Sequence, residues 1–90
     1  MNNTVLSADA VSKGETVQID ASAAGGLAPY TYAYFYKLST KGSWNKLSDG
    51  YISDTSSSVK LGKVGTYNIK VITKDSAGTK AEKIFTVDVT

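Results

Sequence analysis

The sequence predicts an all-β protein, a sandwich of about seven antiparallel strands in two packed layers. Three observations carry that prediction. No long segment repeats its apolar residues with the period of about 3.6 that marks an amphipathic helix. Short runs of alternating apolar and polar residues recur instead, separated by turn residues at intervals of about 8–12 positions. Those runs are rich in tyrosine and β-branched residues, which suit a pleated, half-buried surface.

The first run, Thr4 to Val11, holds Val5, Leu6, Ala8, Ala10 and Val11, and its apolar residues switch parity midway. Such a switch marks a bulge or kink. After a turn at Ser12–Glu15, Thr16–Ala21 alternates cleanly, with Val17, Ile19 and Ala21 on one face. Gly25, Gly26 and Pro29 then break the pattern. Tyr30 to Leu38 follows with strict period two. One face takes Tyr30, Tyr32, Tyr34, Tyr36 and Leu38; the other takes Thr31, Ala33, Phe35 and Lys37. Lys37 on the second face and Leu38 on the first favour tyrosines turned inward. Tyr32 and Tyr34 are therefore expected in the core, Tyr30 and Tyr36 nearer the rims, and Phe35 outside.

Trp44–Leu47 suits a short returning strand, and Asp49-Gly50 a turn. Tyr51 to Ser58 is serine-rich and poorly patterned, Ser58–Leu61 reads as a short strand, and Gly62–Gly65 as a corner. Thr66–Thr73 is a strong strand with Tyr67, Ile69 and Val71 inward and Asn68 and Lys70 outward. Asp75-Ser76-Ala77-Gly78 is a turn, and Lys83–Val89 closes the set with Phe85, Val87 and Val89 on one face. Short strands at this spacing, without a helix, predict an immunoglobulin-like β-sandwich.

Ninety residues make one domain, spanning 1–90. Ten Lys against eight acidic residues leave a net charge of +2, too little for a strongly basic nucleic-acid binder. The absence of Cys and His removes thiol and imidazole chemistry, zinc sites and disulfides from consideration. No apolar run is long enough for a membrane-spanning helix. Met1-Asn2-Asn3-Thr4 has neither the basic region nor the apolar core of a signal peptide. It reads as an expression start placed before a module excised from a larger protein, the alternative being a natural cytosolic start.

Two stretches resemble a known family. Gly26-Leu27-Ala28-Pro29-Tyr30-Thr31-Tyr32-Ala33-Tyr34 is similar to the third strand of bacterial immunoglobulin-like modules of the PKD type. Val64-Gly65-Thr66-Tyr67-Asn68-Ile69-Lys70-Val71, followed by Asp75-Ser76-Ala77-Gly78, is similar to their last hairpin. The tyrosine ladder through Tyr36, with Trp44 after it, resembles the triple-tyrosine modules of surface and secreted proteins of Clostridia and other Firmicutes. The likeness covers roughly residues 13–90 and implies an extracellular accessory module, commonly repeated in tandem beside enzymes or wall-binding repeats. Where PKD modules turn at a Gly-Asp-Gly, this chain continues through Tyr36-Lys37-Leu38, so no calcium or ligand property carries over.

The residues themselves offer little chemistry. The six Asp are dispersed, mostly in turns, and suit turn capping rather than catalysis. Asp49, Ser53 and Asp54 are the one loose calcium candidate. A Lys–Asn isopeptide bond would need an inward Asn; Asn68 points outward and Asn45 lies in a hairpin. Lysine without arginine lacks the fork that reads phosphate or bases, and suits solubility and protection of sheet edges. Tyr67, just after Gly65-Thr66, sits where a tyrosine corner bonds upstream backbone.

Aromatics are the informative set. Trp44, Tyr51 and Tyr36 are the candidate stacking residues for a sugar ring, with burial in the core as the competing role. No catalytic, cofactor or metal site is expected. The expected function is a non-catalytic spacer or interaction module of a secreted or cell-wall-attached bacterial protein. Its partners would be neighbouring domains, a polysaccharide or another surface protein, with no nucleic acid and no membrane insertion. Carbohydrate binding through exposed aromatics is the alternative, and self-association through an open edge strand is a third class.

Overall fold

The computed structural model describes residues 2–48 and 50–90. The chain forms two packed sheets with no helix among the described residues, the all-β sandwich that the alternating runs predict. The described residues form eight strands rather than seven: β1 Val5–Leu6, β2 Ala10–Val11, β3 Thr16–Asp20, β4 Thr31–Leu38, β5 Asn45–Lys46, β6 Ser56–Lys60, β7 Gly65–Lys74 and β8 Lys80–Val89. One sheet has the order β1-β3-β6 and the other β2-β8-β7-β4-β5.

The added strand comes from dividing the first run. The parity switch between Leu6 and Ala10 is a change of sheet: β1 pairs with β3, whereas β2 pairs with β8. The apolar residues change side because the layer they belong to changes. The β2–β8 pair is also parallel, against the expectation of antiparallel pairing throughout.

The strand before Gly62 begins earlier than its apolar residues suggest. Ser56, Ser57 and Ser58 pair with Asp20, Ile19 and Gln18. Backbone pairing extends β6 where side-chain pattern is silent. β8 likewise runs back to Lys80, because its antiparallel register with β7 continues to Lys74↔Lys80. The returning strand near Trp44 is shorter than expected, Asn45–Lys46 only.

Period-two alternation places the core. In β3, Val17 and Ile19 are fully buried between exposed neighbours. In β7, Tyr67, Ile69, Val71 and Thr73 face inward. Tyr32 and Tyr34 are buried at 5% and 0% exposure, with Tyr30 and Tyr36 packed against the core from its rims. Phe35 lies on the outer face, under the Lys70 ammonium. The inward tyrosines expected from the Lys37–Leu38 parity are therefore the observed ones. Val59 and Leu61 from the three-stranded sheet, with Val87 and Val89 of β8, complete the packing.

The side-chain network also ties loops to sheets. Asp75 is buried at the β7–β8 turn and accepts hydrogen bonds from the N–H groups of Thr79 (2.8 Å), Ala77 (3.0 Å) and Leu27 (3.3 Å). The Thr79 N–H is the main cause holding its carboxyl below the ordinary aspartate range; the Leu27, Ala77 and Gly78 N–H groups add to it, and burial opposes it. Gly26 lies against this carboxylate, where a Cβ would stand 2.7 Å from Oδ2.

Candidate functional site

The candidate stacking residues fall on two faces of the five-stranded sheet. β4–β5 register pairs Phe35 with Lys46 and Tyr36 with Asn45, which puts Trp44 beside Lys37 on the outer face. Trp44 is half-buried there, with the ammonium groups of Lys70 and Lys37 at 4.5 and 5.1 Å from its ring centre. Tyr51 is also half-buried, with Lys74 and Lys80 at 4.9 and 5.5 Å. Lys70 and Lys74 are four residues apart on β7, so the two aromatic positions are separated by roughly 13 Å along the strand.

These rings are capped by lysines. A cation over an aromatic face gains roughly 0.5–1 kcal/mol at an exposed site. A sugar ring stacking on Trp44 or Tyr51 must share or displace those ammonium groups. The lysines that composition assigned to solubility thus have a local task as well: they shield apolar rings left outside the core.

Tyr36 faces the other way. It lines a cleft of about 470 Å³ between the sheets, together with Leu38, Asn45, Tyr67 and the lysines Lys41, Lys60 and Lys63. The cleft follows from unequal layers, three strands packed on five. Among the described residues no strand of the smaller sheet extends beyond β6 to cover β5. The inward side of β5, carrying Asn45, is consequently exposed.

Tyr67 departs from the corner role expected of it. It is 6% exposed, yet its hydroxyl makes no hydrogen bond among the described residues, and the residue lines the cleft instead. The core tyrosine whose hydroxyl reaches backbone is Tyr34, which donates to the Asp54 carbonyl at 2.6 Å. Tyr34 thereby pins the serine-rich segment before β6 to the core. The Tyr30 hydroxyl accepts the Gly26 N–H at 3.0 Å.

Sequence reasoning named Tyr36 but missed its companions. Lys60 and Lys63 arrive from the opposite sheet, and Asn45 turns inward only through the β4–β5 register. No local motif unites these positions. A second, larger groove of about 620 Å³ runs where the chain crosses from β1 to β2, lined by Val5, Leu6 and the stretch Lys83–Thr86. Val5 and Ile84, both more than half exposed, flank it.

Of the loose calcium candidates, Asp49 lies outside the described residues, and Asp54 is exposed. Among the described residues no three acidic side chains converge as a metal site would require. Asn68 stands on the outer face, opposite Lys37 in register. Comparison with known proteins finds no matching family model and no significant match among curated proteins.

Proposed function

We propose that the chain is a non-catalytic extracellular module, a spacer or interaction domain of a secreted or cell-wall-associated bacterial protein. The strand order supports an immunoglobulin-type plan, with β1-β3-β6 facing a sheet that contains β8-β7-β4. The inward tyrosine ladder is consistent with the triple-tyrosine modules that the sequence resembles.

The observation that carries the reading is the placement of the two chain ends. The Asn2 amide donates to the carbonyls of Val71 (3.0 Å) and Ala81 (3.1 Å). At the other end, Thr90 exchanges backbone hydrogen bonds with Val11 and Lys13. Ala81 and Val89 are eight residues apart on β8, a separation of about 26 Å at the rise of an extended strand. The ends therefore leave opposite ends of a body 40 Å long, each held by hydrogen bonds. A chain entering one end and leaving the other is kept at a fixed span, as a spacer requires.

Energy transfer between fluorescent proteins fused at the two ends tests this. Efficiency should stay constant as ionic strength changes and shift only when the domain melts. A value that varies continuously under native conditions, as for a flexible linker, would refute the spacer reading.

Carbohydrate binding is a second reading, favoured by Trp44 and Tyr51 lying half-buried on one outer face. Quenching of Trp44 fluorescence during titration with a polysaccharide is its expected signature.

A further inference from the structure

From the cleft at the β5 edge we infer a binding site for an acidic sugar, a pyranose unit carrying a carboxylate or phosphate. The inference takes its ligand class from the carbohydrate reading but rests on different residues, on the opposite side of the sheet from Trp44 and Tyr51. Three features of the cleft define the chemistry. Lys41, Lys60 and Lys63 line it, and among the described residues no acidic one does. Three lysines around one cleft, without a carboxylate among the described lining residues, give it a positive field that an anion relieves. Lysine supplies point charges rather than a bidentate fork, which suits an acidic group presented at varied angles on a sugar.

The second feature is the Tyr67 hydroxyl. The residue is 6% exposed and lines the cleft, and its hydroxyl has no protein partner among the described residues but opens to solvent. A hydroxyl that opens to solvent at the wall of a cleft is free to donate to and accept from a ligand. The exposed Asn45 amide adds two donors and an acceptor at the same rim. These groups match sugar hydroxyls, which both donate and accept.

The third feature is shape. At about 470 Å³ the cleft lies within the size range of small-ligand sites. Tyr36 and Leu38, both part-exposed, give it apolar surface, as one side of a pyranose requires. An acidic peptide fits less well. Extended peptides bind largely through backbone pairing to a free strand edge, and β5 offers an edge of only two residues.

Calorimetric titration of the whole chain tests the site with four probes: polygalacturonate, a sugar-phosphate polymer, a neutral cello-oligosaccharide and polyglutamate. Binding of one or both acidic sugar polymers, weakening as salt rises, is expected, with no heat from the neutral glycan or polyglutamate. The first two probes separate carboxylate from phosphate as the recognised acid. Tyr67→Phe should weaken binding about fivefold without changing the melting temperature. The double variant Lys41→Glu/Lys63→Glu should abolish it, while Trp44→Ala should leave it intact. Equal binding of polyglutamate would reduce the cleft to a nonspecific charge effect and overturn the inference. Loss of acidic-glycan binding in Trp44→Ala, but not in the cleft variants, would move the site to the outer face and leave the carbohydrate reading standing. No binding of any glycan would overturn both.

Discussion

Tyr34 joins packing, hydrogen bonding and titration in one side chain. It is fully buried, and its hydroxyl reaches the Asp54 carbonyl. Burial is the main cause that pushes its pKa up to about 12, and the neighbouring Tyr32, Asp54 and Asp20 add to it. The neutral phenol is the form that can donate this bond. Because the folded value lies above the ordinary 10.0, the stabilisation is complete below pH 10 and is lost as the pH climbs to about 12. At neutral pH, Tyr34→Phe should cost about 1 kcal/mol in a denaturant melt. Between pH 10 and 12 the wild type should lose stability that the variant does not. Parallel curves up to pH 12 would mean that the hydroxyl is not held as described. The inward parity of this tyrosine was legible in the sequence, since Lys37 and Leu38 fix the two faces of β4. Its hydrogen-bond partner was not, because the segment around Asp54 has no side-chain periodicity to place it. The corner role points in sequence to Tyr67, because its flanking Gly65-Thr66 gives a local signal where Tyr34 has none.

Single elements depend on contacts distant in sequence. The β7–β8 turn was legible from Asp75-Ser76-Ala77-Gly78, because an Asp that caps its own turn is a local device. The same carboxylate also holds the Leu27 N–H, 48 positions upstream, and Ser76 donates its N–H to the Leu27 carbonyl. One acidic side chain thus clamps the loop before β4 onto the last hairpin. Asp75→Asn should lower the melting temperature at neutral pH, since an amide group set against the Leu27 N–H cannot accept from it. The depressed folded pKa makes the wild-type advantage complete above the ordinary aspartate value of 3.8 and lost as the pH falls through the lower folded value. Melts of the two proteins from pH 7 down to pH 2 should converge at the acid end; a constant gap would rule out this role for the charge. The divided first strand shows the same limit of legibility. Its parity switch was visible, but a bulge and a change of sheet leave identical patterns in sequence. Only the partners of β1 and β2 tell them apart. The candidate site was legible in part, since Tyr36 could be named but the lysines that surround it converge from separate elements.

At the scale of the whole molecule, the ends and the first strand act together under mechanical load. Tension applied through Asn2 and Thr90 draws β2 toward one end of the body and the close of β8 toward the other. Their pairing is parallel, so the load runs along the strands and across the hydrogen bonds between them. The bonds from Asp88 N to Asp9 O (2.9 Å), Thr90 N to Val11 O (3.0 Å) and Lys13 N to Thr90 O (2.8 Å) are strained together rather than in turn. Val64 and Thr90, by contrast, adjoin the register pair Gly65↔Val89 at one end of the antiparallel β7–β8 hairpin. Pulling there opens the ladder one pair at a time. Single-molecule extension should therefore require a higher force through residues 3 and 90 than through residues 64 and 90, in a protein of identical equilibrium stability. Equal forces would mean that β2 carries no load. Dividing the first strand between two sheets thus gives the fold a resistance to stretching that depends on the direction of pull, greater between its two ends than across its last hairpin.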